Sequence, residues 1–186
     1  MALQFGSGKY FQDTINGNVF IGSTAAAGVV LPIFSNTVQT FALWNPLGSG
    51  RNAILIACQI GWVSGPGVAG NFVYGFQTGT GAQIATGAPI TAFTTVAPVN
   101  GLVGAGNTTV TKFAPAAATL TAGPTLYRTM GVSQLVTSAG TTSQGYFQAT
   151  EYFDGTVIVP QGCIFVVASN VAAAVTADVT LTWEEI

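Results

Sequence analysis

The chain carries, at residues 41–76, the sequence Phe41-Ala-Leu-Trp-Asn-Pro-Leu-Gly-Ser-Gly-Arg-Asn52, then Ala53-Ile-Leu-Ile-Ala-Cys-Gln-Ile-Gly-Trp-Val63 and, after a Gly-Pro turn, Asn71-Phe-Val-Tyr-Gly-Phe76. An apolar strand is predicted to end at Trp44. Residues 53–63 are nearly continuously apolar in their first half, which is typical of a strand covered on both faces. Residues 71–76 combine aromatic and β-branched side chains and predict a third strand. We expect the three strands to form a meander in the core.

A turn separates the first two of these strands. Asn45-Pro46 initiates it, and Gly48 and Gly50 supply the positive φ angles that such a turn needs. Arg51 then leaves the turn at the start of the main strand.

Short strands bounded by glycine and proline continue along the chain. Asp154-Gly155 is a strong hairpin signal, and it predicts a hairpin between strands at residues 144–153 and 156–159. Pro160-Gln161-Gly162 predicts a type II-like turn before two final strands. The count is about eight to ten strands with no convincing amphipathic helix, which predicts an all-β fold, an antiparallel β-sandwich or jelly roll. The alternative is a β-barrel or an all-β fold with an inserted lobe.

Two regions differ from this pattern, although residues 1–186 read as a single domain. Residues 1–16 are polar with spaced aromatics, which suits an extended N-terminal arm. Residues 82–123 form a Gly/Ala/Thr/Pro-rich insertion or loop region in which Lys112 is the one charge. We predict short strands at 90–96 and 108–113 rather than a disordered linker, because low charge with frequent apolar residues is not a disordered composition.

Charge is scarce. Of 186 residues, 49% are apolar and 5% are charged, against about 25% charged in ordinary soluble domains. Such a chain is either a secreted or surface protein with a Thr, Ser, Asn and Gln surface, or a protein largely covered by copies of itself or by a shell. The net charge of −2 offers no basic footprint, so we expect no nucleic-acid partner.

The sequence also lacks the apolar patterns of a membrane-spanning helix and of a signal peptide. The longest apolar runs are far shorter than the roughly 20 residues of a spanning helix, so no membrane association is expected. Residues 1–9 lack the basic and apolar regions of a signal peptide. Cys58 and Cys163 lie in predicted apolar strands, which favours buried free thiols in a protein made in a reducing cytoplasm.

The residue types also argue against catalysis. Histidine is absent, which removes the commonest general base, and two cysteines alone cannot complete a zinc site. Glu184 and Glu185 are neighbours on a predicted strand, so they point to opposite faces. Glu151 and Asp154 could reach the roughly 5–9 Å of a glycosidase pair only by chance. We therefore expect no enzyme activity, no cofactor and no metal site.

Two parts of the sequence resemble small structural proteins of tailed bacteriophages. Leu43-Trp44-Asn45-Pro46 with Gly48-Ser49-Gly50-Arg51 before an apolar strand resembles a turn in those proteins. The ending Asp154-Gly-Thr-Val-Ile-Val-Pro-Gln-Gly162 and Val179-Thr-Leu-Thr-Trp-Glu-Glu-Ile186 is similar to theirs. The resemblance implies a β-sandwich protein of the virion and brings no catalytic residues.

Within that group, the sequence best suits a decoration or cement protein on the capsid surface, made in the host cytoplasm. The resemblance implies a homotrimer that contacts the major capsid protein or other virion subunits. Two alternatives remain, namely a receptor- or carbohydrate-binding module of a tail or fibre, and a single jelly-roll capsid protein that builds the shell itself.

The candidate residues are structural or interfacial ones. The tryptophans are expected in packing rather than in a ligand platform, and at least one of the two arginines should pair with a carboxylate. The set comprises Trp44, Asn45, Pro46, Arg51, Trp62, Arg128, Trp183 and Glu184.

Overall fold

A computed structural model describes residues 8–35, 38–39, 41–64, 71–78, 97–106, 108–114, 118–120, 122–133, 148–170 and 176–186. Across these ranges the chain has one short helix and thirteen strands. They are α1 (Phe11–Ile15), β1 (Val19–Ser23), β2 (Val29–Val30), β3 (Val38–Gln39), β4 (Ala42–Asn45), β5 (Ala53–Ser64), β6 (Asn71–Thr78), β7 (Val99–Asn100), β8 (Lys112–Ala114), β9 (Ala118–Thr119), β10 (Thr125–Ser133), β11 (Gln148–Val159), β12 (Cys163–Ser169) and β13 (Thr176–Glu185).

Two antiparallel sheets pack face to face. The six-stranded sheet has the order β11-β5-β13-β1-β7, with β2 also paired to β13, and the five-stranded sheet has the order β10-β6-β12-β4-β8. Strands β3 and β9 form a separate pair. The prediction of an all-β antiparallel sandwich is confirmed.

The strand order is that of a jelly roll. Setting aside the short strands β2, β7 and β8, four strands remain in each sheet, and they pair first with last: β1 with β13, β4 with β12, β5 with β11 and β6 with β10. A long antiparallel ribbon wound around a core gives this order. Strands distant in the sequence are thus neighbours throughout both sheets.

The three strands of residues 41–76 form as predicted, but the prediction that they form a meander is wrong. β4 and β6 belong to the five-stranded sheet and β5 to the six-stranded sheet, so the chain crosses the sandwich twice. Hydrophobic periodicity predicts which faces a strand buries, and it carries no information about which strand lies beside it.

The prediction of a hairpin at Asp154-Gly155 is also wrong. β11 runs through this dipeptide and pairs with β5 on both sides, from Tyr152 opposite Ala57 to Val157 opposite Leu55. Asp154 has φ 49° and Gly155 has φ 81°. These left-handed angles, which would also suit a hairpin turn, form a bulge within one strand instead.

The main core lies between the sheets and contains the largest buried side chains, among them Trp183, Tyr74, Phe20 and Phe41. A second cluster on the outer side of the five-stranded sheet includes Leu120 and Val166. A third, around Val19 and Ile56 with Tyr10 against it, explains why β5 is apolar on both faces.

The two regions of unusual composition, residues 1–16 and 82–123, are described in part. Residues 11–15 form α1, so this part is not the extended arm that was predicted, and residues 1–7 lie outside the described chain. From residues 82–123, β7 joins the edge at β1 and β8 joins the edge at β4. The predicted strand at 108–113 is shorter and begins later, as β8, and residues 109–111 before it donate hydrogen bonds to Glu185 instead. The strand predicted at 90–96 lies outside the described residues.

Candidate functional site

The most heavily bonded polar group of the described structure is the carboxylate of Glu185. β13 alternates between partly buried and buried residues, and Val179, Leu181 and Trp183 face the core. Glu185 continues this inward row and is 1% exposed. A carboxylate therefore occupies the position where the pattern of the strand calls for an apolar side chain, and it needs donors to replace water.

The donors come mainly from residues 109–111. The hydroxyl of Thr111 donates to Oε1 of Glu185 at 2.7 Å and its N–H donates at 3.1 Å. The N–H of Val110 donates to Oε2 at 3.1 Å, and the hydroxyl of Thr109 also donates to Oε1. Nε1 of Trp183 lies 3.3 Å from the same oxygen. This network joins the end of β13 to a loop more than seventy residues earlier in the sequence.

These bonds keep Glu185 ionised. Burial alone would raise the pKa of the Glu185 carboxyl. The hydroxyls of Thr109 and Thr111 and the N–H groups of Val110 and Thr111 outweigh that effect and hold the pKa below its ordinary value. The group is therefore an anion in the folded protein at neutral pH.

Arg51 approaches the same carboxylate from solvent. Its Nη1 lies 3.7 Å from Oε2 of Glu185. The turn that carries it is held by the buried side chain of Asn45, whose Nδ2 donates to the carbonyls of Arg51 at 2.8 Å and Val159 at 2.9 Å. Gly48 and Gly50 have φ 81° and 76°, as predicted for this turn.

A second ion pair joins the two sheets. The guanidinium of Arg128 on β10 contacts Oε1 of Glu151 on β11. Its Cζ also lies 5.0 Å from the ring centroid of Phe153 and 6.0 Å from that of Tyr74. The pair closes the side of the sandwich where the two strands lie, so the prediction that at least one arginine pairs with a carboxylate is confirmed for both.

Tyr74 and Cys58 lie behind this pair. Burial raises the pKa of the Cys58 thiol to about 12, and burial with the neighbouring Cys58 and Glu151 raises the pKa of the Tyr74 hydroxyl. Both groups stay protonated at neutral pH. Cys58 and Cys163 are free thiols; Cys58 is buried as predicted, whereas Cys163 is only half-buried.

The residues of these two clusters stabilise contacts between segments of the chain. Glu185 and Glu151 are engaged by cations, and the Cys58 thiol is neutral and enclosed. Over the described ranges, no group of three or more His, Cys, Asp and Glu side chains could hold a metal ion. The single short helix seen there lacks the length and hydropathy for crossing a membrane.

The structure brings some of the candidate residues together. Asn45, Pro46 and Arg51 share the turn beside Glu185, and Arg128 belongs to the second pair. Trp183 is fully buried, Trp62 is half-buried against the main core, and Trp44 is half-buried against the cluster on the five-stranded sheet.

The two glutamates at the end of β13 differ in their contacts. Glu184 lies on the outer face, where burial and the nearby Asp13 raise its pKa, while Glu185 makes the contacts. Extending the alternation of β13 by one step would have placed Glu185 inside. No sequence signal pointed to Thr109, Thr111 or Glu151.

The fold and these contacts define a jelly-roll protein with two intramolecular ion-pair clusters. No family model matches the chain, and it matches none of the curated proteins or solved structures with which it was compared.

Proposed function

We propose that the chain is a virion structural protein, a homotrimeric decoration or cement protein on the capsid surface of a tailed bacteriophage. It holds neighbouring shell subunits, foremost the major capsid protein, by passive contacts without turnover. The resemblance of the turn at Trp44–Arg51 and of the C-terminal strands to phage structural proteins motivates this proposal.

The observation that carries it is how little charge the surface offers. Three of the four cations pair within the described chain: Lys9 with Asp154, Arg51 with Glu185 and Arg128 with Glu151. Large apolar side chains are exposed at the same time, including Val30, Leu47 and Val103. A surface of this kind suits permanent packing against other subunits better than electrostatic recognition of a free ligand.

The fold agrees with this proposal without deciding it. Double-sheet jelly rolls occur in viral capsid and lectin domains, and a fold alone does not fix a function. A carbohydrate platform usually presents coplanar exposed aromatic rings. Trp183 is in the core and Trp44 and Trp62 are half-buried, so the three tryptophans do not form such a platform.

Particles assembled with and without the protein test the proposal. We expect particles that lack it to assemble but to burst at lower temperature or at milder osmotic shock, and electron microscopy to find the protein on the outer shell. Equal resistance to heat and osmotic shock would contradict the cement role. If such particles also failed to adsorb to cells, a receptor-binding role would replace it, and density forming the shell itself would indicate a capsid protein.

A further inference from the structure

Two Asn-Gly dipeptides lie against each other in the folded chain, and their surroundings differ. Asn16-Gly17 follows helix α1, with Asn16 as its C-cap, and Asn100-Gly101 overlaps the end of β7. Nδ2 of Asn100 donates to the carbonyl of Gly17 at 2.7 Å. Asn16 is exposed to solvent, whereas Asn100 is 3% exposed. The same short sequence therefore occurs once at the surface and once inside the fold.

An Asn-Gly dipeptide can lose its side-chain amide without an enzyme. The backbone nitrogen of the glycine attacks Cγ of the asparagine, the Cγ–Nδ2 bond breaks, and the amide leaves as ammonia with the proton of the glycine N–H. Water then opens the resulting succinimide ring at either carbonyl and gives aspartate or isoaspartate. Glycine favours the attack because it has no Cβ to shield its nitrogen. The reaction therefore requires a free backbone N–H and an asparagine side chain that can turn toward it.

The fold holds Asn100 away from this geometry. Its Oδ1 accepts from the N–H of Leu102 at 2.8 Å, and its Nδ2 is bound to the carbonyl of Gly17. The N–H of Gly101 donates to the carbonyl of Val19 at 2.8 Å, at the edge of the six-stranded sheet. All three hydrogen bonds must break before the nitrogen of Gly101 can reach Cγ of Asn100.

Asn16 is held more weakly. Its Oδ1 accepts from Nε2 of Gln12 at 3.2 Å, and this contact lies in solvent. The N–H of Gly17 donates to the carbonyl of Thr14 at 3.0 Å, in the last turn of a helix of five residues. A helix this short is marginal, and its N-cap Tyr10 makes no side-chain capping bond. Local opening at this helix end costs less free energy than opening of a paired sheet edge.

We propose that Asn16 is a site of spontaneous deamidation in the folded protein and that the fold protects Asn100 from the same reaction. The reactants are the chain itself and water. This inference is independent of the virion role, because it depends only on the contacts around the two dipeptides.

Deamidation at Asn16 should loosen α1. It adds a carboxylate at the C-terminal end of the helix, where the helix dipole disfavours an anion. Asp13 lies one helical turn earlier, and burial together with this Asp13 already raises the pKa of Glu184. Isoaspartate also inserts an extra methylene into the backbone just before Gly17, whose carbonyl binds Asn100. The modified chain therefore holds α1 less firmly against the six-stranded sheet.

Incubation of the native protein in mildly alkaline buffer tests the proposal. Peptide mass spectrometry of samples taken over time reports the conversion of amide to acid at Asn16 and at Asn100 separately. In the native protein we expect Asn16 to react at least about tenfold faster, because three hydrogen bonds protect Asn100. In concentrated urea, where both dipeptides are unfolded, the two rates should become similar. Asn16→Gln is the control and should abolish conversion at residue 16 while leaving Asn100 unchanged.

The ratio of the two rates decides the outcome. If Asn16 is not converted faster than Asn100 in the native protein, the proposal is overturned. A native ratio no larger than the ratio in urea also overturns it, since the dipeptides and not the fold would then set the rates.

A second pair of variants tests the effect on α1. Asn16→Asp reproduces the aspartate product and should speed hydrogen exchange of the amides in α1 about two- to fivefold. Gln12→Glu adds the same charge to an exposed residue nearer the N-terminus of the helix, where the dipole favours an anion, and it should not speed exchange. Equal exchange in the two variants would overturn the loosening of α1.

Discussion

Arg51 and Glu185 lie 3.7 Å apart, yet the side chain of Arg51 is 44% exposed while that of Glu185 is fully buried. A cation in solvent is screened and contributes little to such a pair. The buried anion instead depends on the hydroxyl and N–H groups of Thr109, Val110 and Thr111. The two members of this ion pair therefore differ greatly in their importance for stability.

Replacing Glu185 should be the most damaging conservative change at the site. In Glu185→Gln an amide NH₂ can take the place of an oxygen that accepts from N–H and hydroxyl donors, so buried donors lose their partner. We expect a loss of about 3 kcal/mol in the free energy of unfolding, measured by urea denaturation. Glu184→Gln on the outer face is the control and should change it by less than about 0.5 kcal/mol. Arg51→Ala should cost about 1 kcal/mol or less. Equal effects of the two glutamine variants would contradict the central role of Glu185.

Stability should fall in acid through the same residue. The pKa of Glu185 is lower in the folded protein than in the unfolded chain, where it is about 4.3. Its contribution is complete above the unfolded value and is lost as the pH falls through the folded value. The melting temperature of the wild type should therefore drop between about pH 5 and pH 3. Glu185→Gln should show a shallower drop over this range, and a parallel curve would refute the assignment.

Gly22 should not tolerate a methyl group. A Cβ there would lie 2.7 Å from a ring atom of Phe113 and 3.1 Å from one of Trp183, and both rings are packed in the core. We expect Gly22→Ala to destabilise the fold by about 1–3 kcal/mol. Gly106→Ala is the control, because a Cβ at Gly106 meets nothing within 4 Å. Similar thermal unfolding of the two variants would show that the core adjusts at Phe113.

The two thiols should differ in reactivity. Cys58 is fully buried, and burial raises the pKa of its thiol to about 12. Cys163 is only half-buried, and burial raises the pKa of its thiol as well. Because the thiolate is the reactive form, a thiol reagent at neutral pH should label Cys163 slowly and Cys58 only after unfolding. Mass spectrometry of the labelled peptides distinguishes them. Prompt labelling of Cys58 in the native protein would show that the side of the sandwich behind Arg128 opens.

The sequence was informative about which segments are strands and much less about their partners. Residues 53–63 and 71–76 predicted β5 and β6 closely, because apolar periodicity and flanking glycines are local signals. The pairing of β5 with β11 and β13 is a long-range choice that no local pattern contains. Asp154-Gly155 shows the same limit, since left-handed φ angles suit both a tight turn and a bulge, and only the neighbouring strand decides between them.

The candidate site was predicted in part. The turn residues Asn45 and Arg51 were found because their local sequence is distinctive. Glu184 was named among the candidates, and the alternation of β13 places the neighbouring Glu185 inside instead. Thr109 and Thr111 could not have been found, because donors to a buried carboxylate are recognised only once the fold brings residues 109–111 to the end of β13.

The position of β13 has a consequence for the order of folding. β13 lies between β5 and β1 in the six-stranded sheet, so that sheet stays divided until the final strand has left the ribosome. Until then, β5 and β1 each present an unpaired edge that can pair with another nascent chain. Pairs such as Val19 with Glu184 span nearly the whole chain, a topology that folds in milliseconds to seconds rather than microseconds. Yield in the cell should thus depend on how quickly β13 inserts between these two edges.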